Sequence, residues 1–135
     1  MKALSVYPDV AWNIWFEEKT IEVRSWNTNY RGPIVICATK EPIHDCIPGH
    51  ALCVADVVDV RPFMRKDCSA AQIFSSSFQK GYYAWVLGEI KTIQPIPVRG
   101  MPGLFNVDDD LIKYIPDPDS NDMERWNRIW KPLMR

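Results

Sequence analysis

Apolar and polar positions change their period several times along this chain, and each change marks an expected element. Lys2, Leu4 and Val6 alternate with Ala3 and Ser5, the two-residue period of a short first strand. Tyr7-Pro8-Asp9 breaks it, and Asp9 is placed to cap a helix over about residues 10–18. Val10 and Ile14, Ala11 and Trp15, and Trp12 and Phe16 form three i,i+4 rows there, so the helix is apolar on most sides and must be buried. Alternation returns in Lys19-Thr20-Ile21-Glu22-Val23-Arg24-Ser25-Trp26, a second strand with Ile21 and Val23 on one face.

A polar turn over residues 27–32 leads into Pro33-Ile34-Val35-Ile36-Cys37-Ala38-Thr39, a β-branched run expected to be a central strand. Residues 51–60 read as another buried strand, interrupted by Asp56, which a bulge turns outward or which faces the polar side of the second strand. Residues 61–80 carry the cations Arg61, Arg65 and Lys66 and little periodicity beyond a short helix near Ser69. Residues 82–90 form an aromatic strand in which Tyr83, Trp85, Leu87 and Glu89 share a face. Its continuation carries Pro95 and Pro97, which belong at a sheet edge. The loop from Arg99 to Phe105 holds two glycines, the signature of a close backbone approach or a positive φ.

After an acidic connector around Asp108-Asp109-Asp110, Asp119 or Ser120 can cap a terminal helix. Its Met123, Trp126, Trp130 and Leu133 form a stripe expected to dock on the domain's own body, with Glu124 and Arg128 as an ion pair. The pattern implies an α+β chain with five or six mixed strands, one early helix and one terminal helix.

Composition narrows the partners. The 135 residues suffice for one domain, and 47% apolar with 24% charged is a globular balance. A net charge of −1 lacks the basic field that drives strong non-specific duplex binding, but a pocket for one nucleotide or one unpaired base needs few donors. No apolar run approaches membrane-spanning length, and no signal peptide is recognised at residues 1–8, so a cytoplasmic location without membrane association is expected. His44, Cys46, His50 and Cys53 fall within ten positions, yet not in the tight pairs that zinc prefers; Cys37 and Cys53 read as small core residues, and no metal or cofactor is expected. The oligomeric state is left open by the pattern.

The chemistry concentrates on the second strand. Thr20, Glu22, Arg24 and Trp26 share a face with Lys19 at its entrance, a row able to read a planar polar ligand by ion pair, forked hydrogen bond and stacking. The alternative for this row is a solvated surface pair of Glu22 and Arg24.

The strings from Met1 to Pro8, from Lys19 to Trp26, and Arg31-Gly32-Pro33-Ile34-Val35-Ile36, followed by Tyr83-Ala84-Trp85-Val86-Leu87 and Pro95-Ile96-Pro97-Val98-Arg99-Gly100, resemble the ASCH (activating signal cointegrator homology) family. The resemblance covers about residues 1–106, with 107–135 as connector and terminal helix on the same domain. It implies a PUA-like fold, a small closed β-barrel with a helix plugging one side, and a cleft for RNA or a nucleotide. Carried over, that cleft holds Lys19, Thr20, Glu22, Arg24, Ser25 and Trp26, with Tyr7, Pro8, Trp85, Arg99 and Gly100 as walls and Lys40 beside them. Some small relatives are amidohydrolases of acylated cytidine that use a lysine, a threonine and a glutamate. Here the lysine is Lys19, but Glu22 stands where the threonine belongs. Three readings follow: a binding module for a base or nucleoside-like ligand; a hydrolase, of acylated nucleosides or RNA, using Lys19 and Glu22 with Thr20 as a substitute hydroxyl; and a protein interaction module built on the terminal helix.

Overall fold

A computed structural model describes residues 1–135 and shows a six-stranded mixed sheet in the order β2-β5-β4-β3-β1-β6. The strands are β1 (Lys2–Val6), β2 (Ile21–Arg24), β3 (Gly32–Ala38), β4 (His50–Pro62), β5 (Tyr83–Pro97) and β6 (Leu104–Asn106). Only β1 and β3 run parallel; every other neighbour is antiparallel. The parallel pair needs a crossover, and helix α1 (Pro8–Trp15) and strand β2 lie within it. No helix is long and apolar enough to cross a membrane.

The α+β architecture matches the expectation, but the hydrogen-bonded ladder does not close into a barrel. Strand β2 has four residues and pairs only with β5, and β6 pairs only with β1. A side chain spans the remaining gap: Arg24 Nη2 donates to the Ser5 carbonyl of β1 at 2.7 Å. The sheet therefore curls enough to bring its first strand against its fifth without a seam of backbone bonds.

Helix α1 starts at Pro8, two residues before the expected start, and Tyr7 rather than Asp9 is its N-cap. Proline suits this first position, because its missing N–H has no partner to lose there. The helix ends at Trp15, and Glu17 adopts a left-handed backbone (φ 62°) that turns the chain back. Ala11, Ile14 and Trp15 enter the main core beside Leu4, Ile34, Ile36, Leu52, Trp85 and Leu87. At about 25 cal/mol per Å² of apolar surface removed from water, this shared core is the largest stabilising contribution.

Strand β5 is one 15-residue strand that includes the proline-bearing continuation. Its proline-bearing half has β4 on one side; on the other, beyond the Tyr83–Val86 reach of β2, only the isolated bridge Ile93↔Tyr114 pairs with it, before Pro95. Pro95 and Pro97 thus do sit at a local edge. Register shifts between Ala55 and Val57, and again before Asp59, bend β4. They leave Asp56 beside Pro33, Val54, Glu89 and Lys91, away from Glu22 and Arg24.

Residues 61–80 cover the outer face of β2. Helix α2 (Cys68–Ala71) and the turns around it bring Phe63, Cys68 and Ala71 against Ile21, Val23 and Ala84. At the other end, helix α3 (Met123–Ile129) is capped by the Asp122 side chain, which accepts from the Arg125 amide at 3.0 Å. Trp130 is fully buried and Trp126 packs on Trp12 and Trp15, so Trp126, Trp130 and Leu133 of the terminal stripe join the main core, whereas Met123 is exposed. The expected Glu124–Arg128 pair is replaced by Arg125 with Asp122 at 3.4 Å.

Candidate functional site

The site is built on β2. Because paired residues of adjacent strands point the same way, the register Glu22↔Trp85 and Arg24↔Tyr83 turns both charged side chains toward the concave face of the curled sheet. Ile21 and Val23 take the opposite face, under the α2 region, as the alternation requires. Glu22 is only 8% exposed, so the row is not a solvated surface pair. Its two oxygens lie 3.6 Å from Lys19 Nζ and 3.2 Å from Arg24 Nη2. Both distances exceed the about 2.7–2.9 Å of a strong charge-assisted hydrogen bond, so the carboxylate retains unused accepting capacity.

Lys19 comes to Glu22 from outside the strand. The turn after α1 brings its amide to the Asn13 carbonyl at 3.0 Å, and its ammonium donates to the Ala71 carbonyl. At 6% exposed it is held below the ordinary lysine pKa by burial, with the Glu22 carboxylate opposing that shift.

Two adjoining cavities open beside this row. The first, about 400 Å³, is lined among others by Tyr7, Val10, Glu22, Arg24, Ser5 and Thr39. The second, about 610 Å³, includes Lys40, Arg99, Gly100 and Met101. Ser5, Thr39 and Glu41 line both, so the two form one bilobed cleft. Each lobe falls within the roughly 300–1,000 Å³ of small-molecule sites. One lobe carries the buried Glu22–Arg24 row; the other carries the exposed cations Lys40 and Arg99.

Three polar atoms around this cleft are buried without a protein partner: Ser5 Oγ, Thr39 Oγ1 and Arg24 Nε. An unmet buried donor or acceptor costs about 1–3 kcal/mol, and here all three belong to residues that line open space. The buried Nε1 atoms of Trp85 and Trp130 also lack partners, but neither tryptophan lines these lobes. Gly100 sets the wall between β5 and β1: a Cβ at this position would lie 2.6 Å from Ser5 Oγ. The close approach inferred from the glycine-bearing loop is thus to Ser5.

The structure brings together Tyr7, Glu22, Arg24, Lys40, Arg99 and Gly100. It leaves the other candidates outside the lining. Thr20 is exposed, and its backbone is taken up by Ala70 and Leu87. Ser25 is exposed beyond the end of β2, and Pro8 is buried as the first residue of α1. Trp85 is 0% exposed, and Trp26 stands edge-on to it with ring centroids 4.8 Å apart. These two indoles pack on each other, so neither offers a face to a base in the cleft; Tyr7, 58% exposed, is the aromatic ring that lines it.

Ser5, Thr39 and Glu41 line the cleft without a motif that marks them in the sequence. Ser5 sits in an apolar strand, and the one signal for it was the facing glycine. Thr39 follows β3 directly, and its amide donates to the Val6 carbonyl at 2.9 Å, a contact that alternation within one strand cannot reveal.

A family model described as the ASCH domain matches residues 4–97. Among solved structures, an ASCH protein from Zymomonas mobilis is similar at a TM-score of 0.64 and 15% identity, covering 81% of this chain and 88% of that one. Two of its variants are similar too. One with tyrosine changed to phenylalanine gives 0.58 at 17% identity, covering 81% and 91%; one with serine changed to alanine gives 0.60 at 15% identity, covering 81% and 89%. No curated protein matches the chain by sequence.

Proposed function

This chain belongs to the ASCH domain family, and on that premise we propose that its bilobed cleft binds a nucleotide or a single unpaired base of RNA. The observation that carries the reading is the set of unpartnered buried atoms Ser5 Oγ, Thr39 Oγ1 and Arg24 Nε beside the under-used Glu22 carboxylate. A nucleobase edge supplies donors for Glu22 and acceptors for Arg24 and the hydroxyls. Tyr7 flanks the base by stacking, a contact worth about 1–3 kcal/mol per base. Lys40 and Arg99 in the neighbouring lobe take the phosphate.

The hydrolase reading needs Lys19 at the ligand. Its ammonium is instead committed to Ala71 and Glu22, and it is absent from the lining of both lobes. The interaction reading needs a free tryptophan stripe, and Trp130 is buried in the core. Binding is therefore the reading that the geometry supports best.

Calorimetric titration of nucleoside monophosphates, together with N4-acetylcytidine as both ligand and substrate, tests it. The expected result is saturable binding of at least one compound that Arg24→Ala weakens at least tenfold. Absence of binding across the panel overturns the reading. Turnover of N4-acetylcytidine that disappears in Lys19→Ala replaces it with the hydrolase.

A further inference from the structure

A second surface, formed by residues the cleft does not use, has its own chemistry. Residues 61–80 contain four cations, Arg61, Arg65, Lys66 and Lys80, and one carboxylate, Asp67, in a chain whose net charge is −1. Asp67 is 3% exposed and already held by Arg61, whose two terminal nitrogens donate to it at 2.7 and 2.8 Å. Asp59, just upstream, is paired with Arg31. None of the molecule's ion pairs involves Arg65, Lys66 or Lys80. The segment therefore presents uncompensated positive charge.

Aromatic side chains lie in the same place. A groove of about 510 Å³ is lined by Met64, Arg65, Phe78, Lys80, Tyr82 and Tyr83 among others. The Arg65 guanidinium lies 4.8 Å from the centre of the Phe78 ring and donates to the Ser75 carbonyl at 3.1 Å, which fixes it at the groove. Phe74 lies outside the groove's lining, next in the chain to Ser75, and is 84% exposed. Strand β2 separates this groove from the cleft: its Glu22/Arg24 face lines the cleft, and its Ile21/Val23 face packs on the α2 region. Tyr83, at the groove's end, is the register partner of Arg24.

We propose that this groove and the exposed residues Lys66 and Phe74 adjoining it in the chain form a binding surface for single-stranded nucleic acid, with Arg65, Lys66 and Lys80 on the phosphates and Phe74 and Tyr82 stacking on bases. Uncompensated cations interleaved with an exposed ring, Phe74, and a half-buried one, Tyr82, suit a phosphodiester chain with splayed bases. A duplex offers no base faces to such rings, and competition with polyglutamate separates an acidic peptide, which meets the cations by charge alone, from a nucleic acid. The proposal goes beyond the cleft reading and fails separately from it.

The test is fluorescence anisotropy of a labelled oligouridylate dodecamer with the intact chain across a salt series, with uridine monophosphate titrated in parallel. The dodecamer is expected to bind more tightly than the mononucleotide, and affinity should fall with salt by about 0.7 log units per log unit for each phosphate contacted. Lys66→Glu with Lys80→Glu, both at exposed positions, should lower the slope by about 1.4, two contacts' worth, and leave mononucleotide affinity unchanged. Phe74→Ser should weaken the dodecamer without changing the slope. Equal affinity for dodecamer and mononucleotide, a slope unmoved by the double variant, or displacement of the dodecamer by polyglutamate as effectively as by unlabelled RNA overturns the proposal. Loss of mononucleotide binding in wild type, with the dodecamer still bound, removes the cleft reading and leaves this one standing.

Discussion

Two carboxylates in this molecule are almost equally buried and each meets arginine, yet they do different things. Asp67 receives a two-pronged hydrogen bond from Arg61 at 2.7 and 2.8 Å and a third from the Met64 amide at 2.9 Å. Glu22 lies between Lys19 and Arg24 at 3.6 and 3.2 Å, beside a cleft whose Ser5 and Thr39 hydroxyls are unpartnered. The first pair is saturated and pins the α2 region to β4. The second leaves hydrogen-bonding capacity where a ligand can reach it. Burial and charge do not separate the two, but satisfaction does. A satisfied ion pair is architecture, and an under-satisfied one facing open space is a site.

The sharpest test of this contrast removes the saturated carboxylate. Asp67→Ala leaves Arg61 and the Met64 amide without their acceptor, and breaking a buried pair in this way costs about 3–5 kcal/mol, the lower end applying because Arg61 is partly exposed. Urea unfolding should show that loss, while nucleotide affinity measured well below the unfolding midpoint stays at the wild-type value. A loss of affinity without a loss of stability would reverse the roles assigned to the two carboxylates.

Glu22→Gln makes the complementary cut. It keeps the side chain's shape and removes its charge, and a hydrogen bond to a charged group contributes about 1.5–3 kcal/mol. Nucleotide affinity should therefore fall by roughly ten- to a hundredfold, and unfolding free energy should fall by less than in Asp67→Ala, because Lys19 loses its counter-charge but keeps its bond to the Ala71 carbonyl. Calorimetry and urea unfolding on the same sample check both halves.

Much of this contrast was legible in the sequence, and the part that was not has a physical cause. The alternation from Lys19 to Arg24 correctly separated Glu22 and Arg24 from Ile21 and Val23, because a strand has one period and β2 keeps it. The β-branched run of β3 and the apolar helix α1 were equally readable. What alternation cannot supply is the neighbour across the sheet. The family resemblance makes Trp85 a cleft wall, but Trp26 and the main core cover it completely. Lys19 read as the entrance of the strand row, and its burial comes from α2, whose sequence had no clear period. Ser5 and Thr39 were invisible because their importance lies in what they do not touch.

Gly100 offers a smaller perturbation at the junction of the two lobes. A methyl group there would lie 2.6 Å from Ser5 Oγ, so the serine hydroxyl must rotate or the loop must move. Overpacking of this kind costs about 1–3 kcal/mol, the lower end applying where one small side chain can yield. Gly100→Ala should lower the urea midpoint modestly and weaken nucleotide binding, and adding Ser5→Gly to relieve the clash should restore the stability. If Gly100→Ala changes neither quantity, the loop does not close on β1 and the two lobes are not one cleft.

The smallest expected effect lies in the pH dependence of the under-satisfied row. Burial lowers the pKa of Lys19 from its ordinary 10.5, against the opposing pull of Glu22. Between the lowered folded-state value and 10.5 the unfolded chain binds more protons at this site than the folded one, so stability rises with pH through that window. Below the window both states are protonated and the folded state carries the full cost of a buried ammonium. Lys19→Met preserves the aliphatic stem and abolishes the titration. The difference in unfolding free energy, wild type minus Lys19→Met, should therefore climb as the pH goes from neutral toward 10.5, with tyrosine titration common to both proteins and cancelling. A flat difference would mean that Glu22 compensates the buried charge fully. In that case the Lys19–Glu22 pair would be as saturated as Arg61–Asp67, and the distinction would rest on Arg24, Ser5 and Thr39 alone.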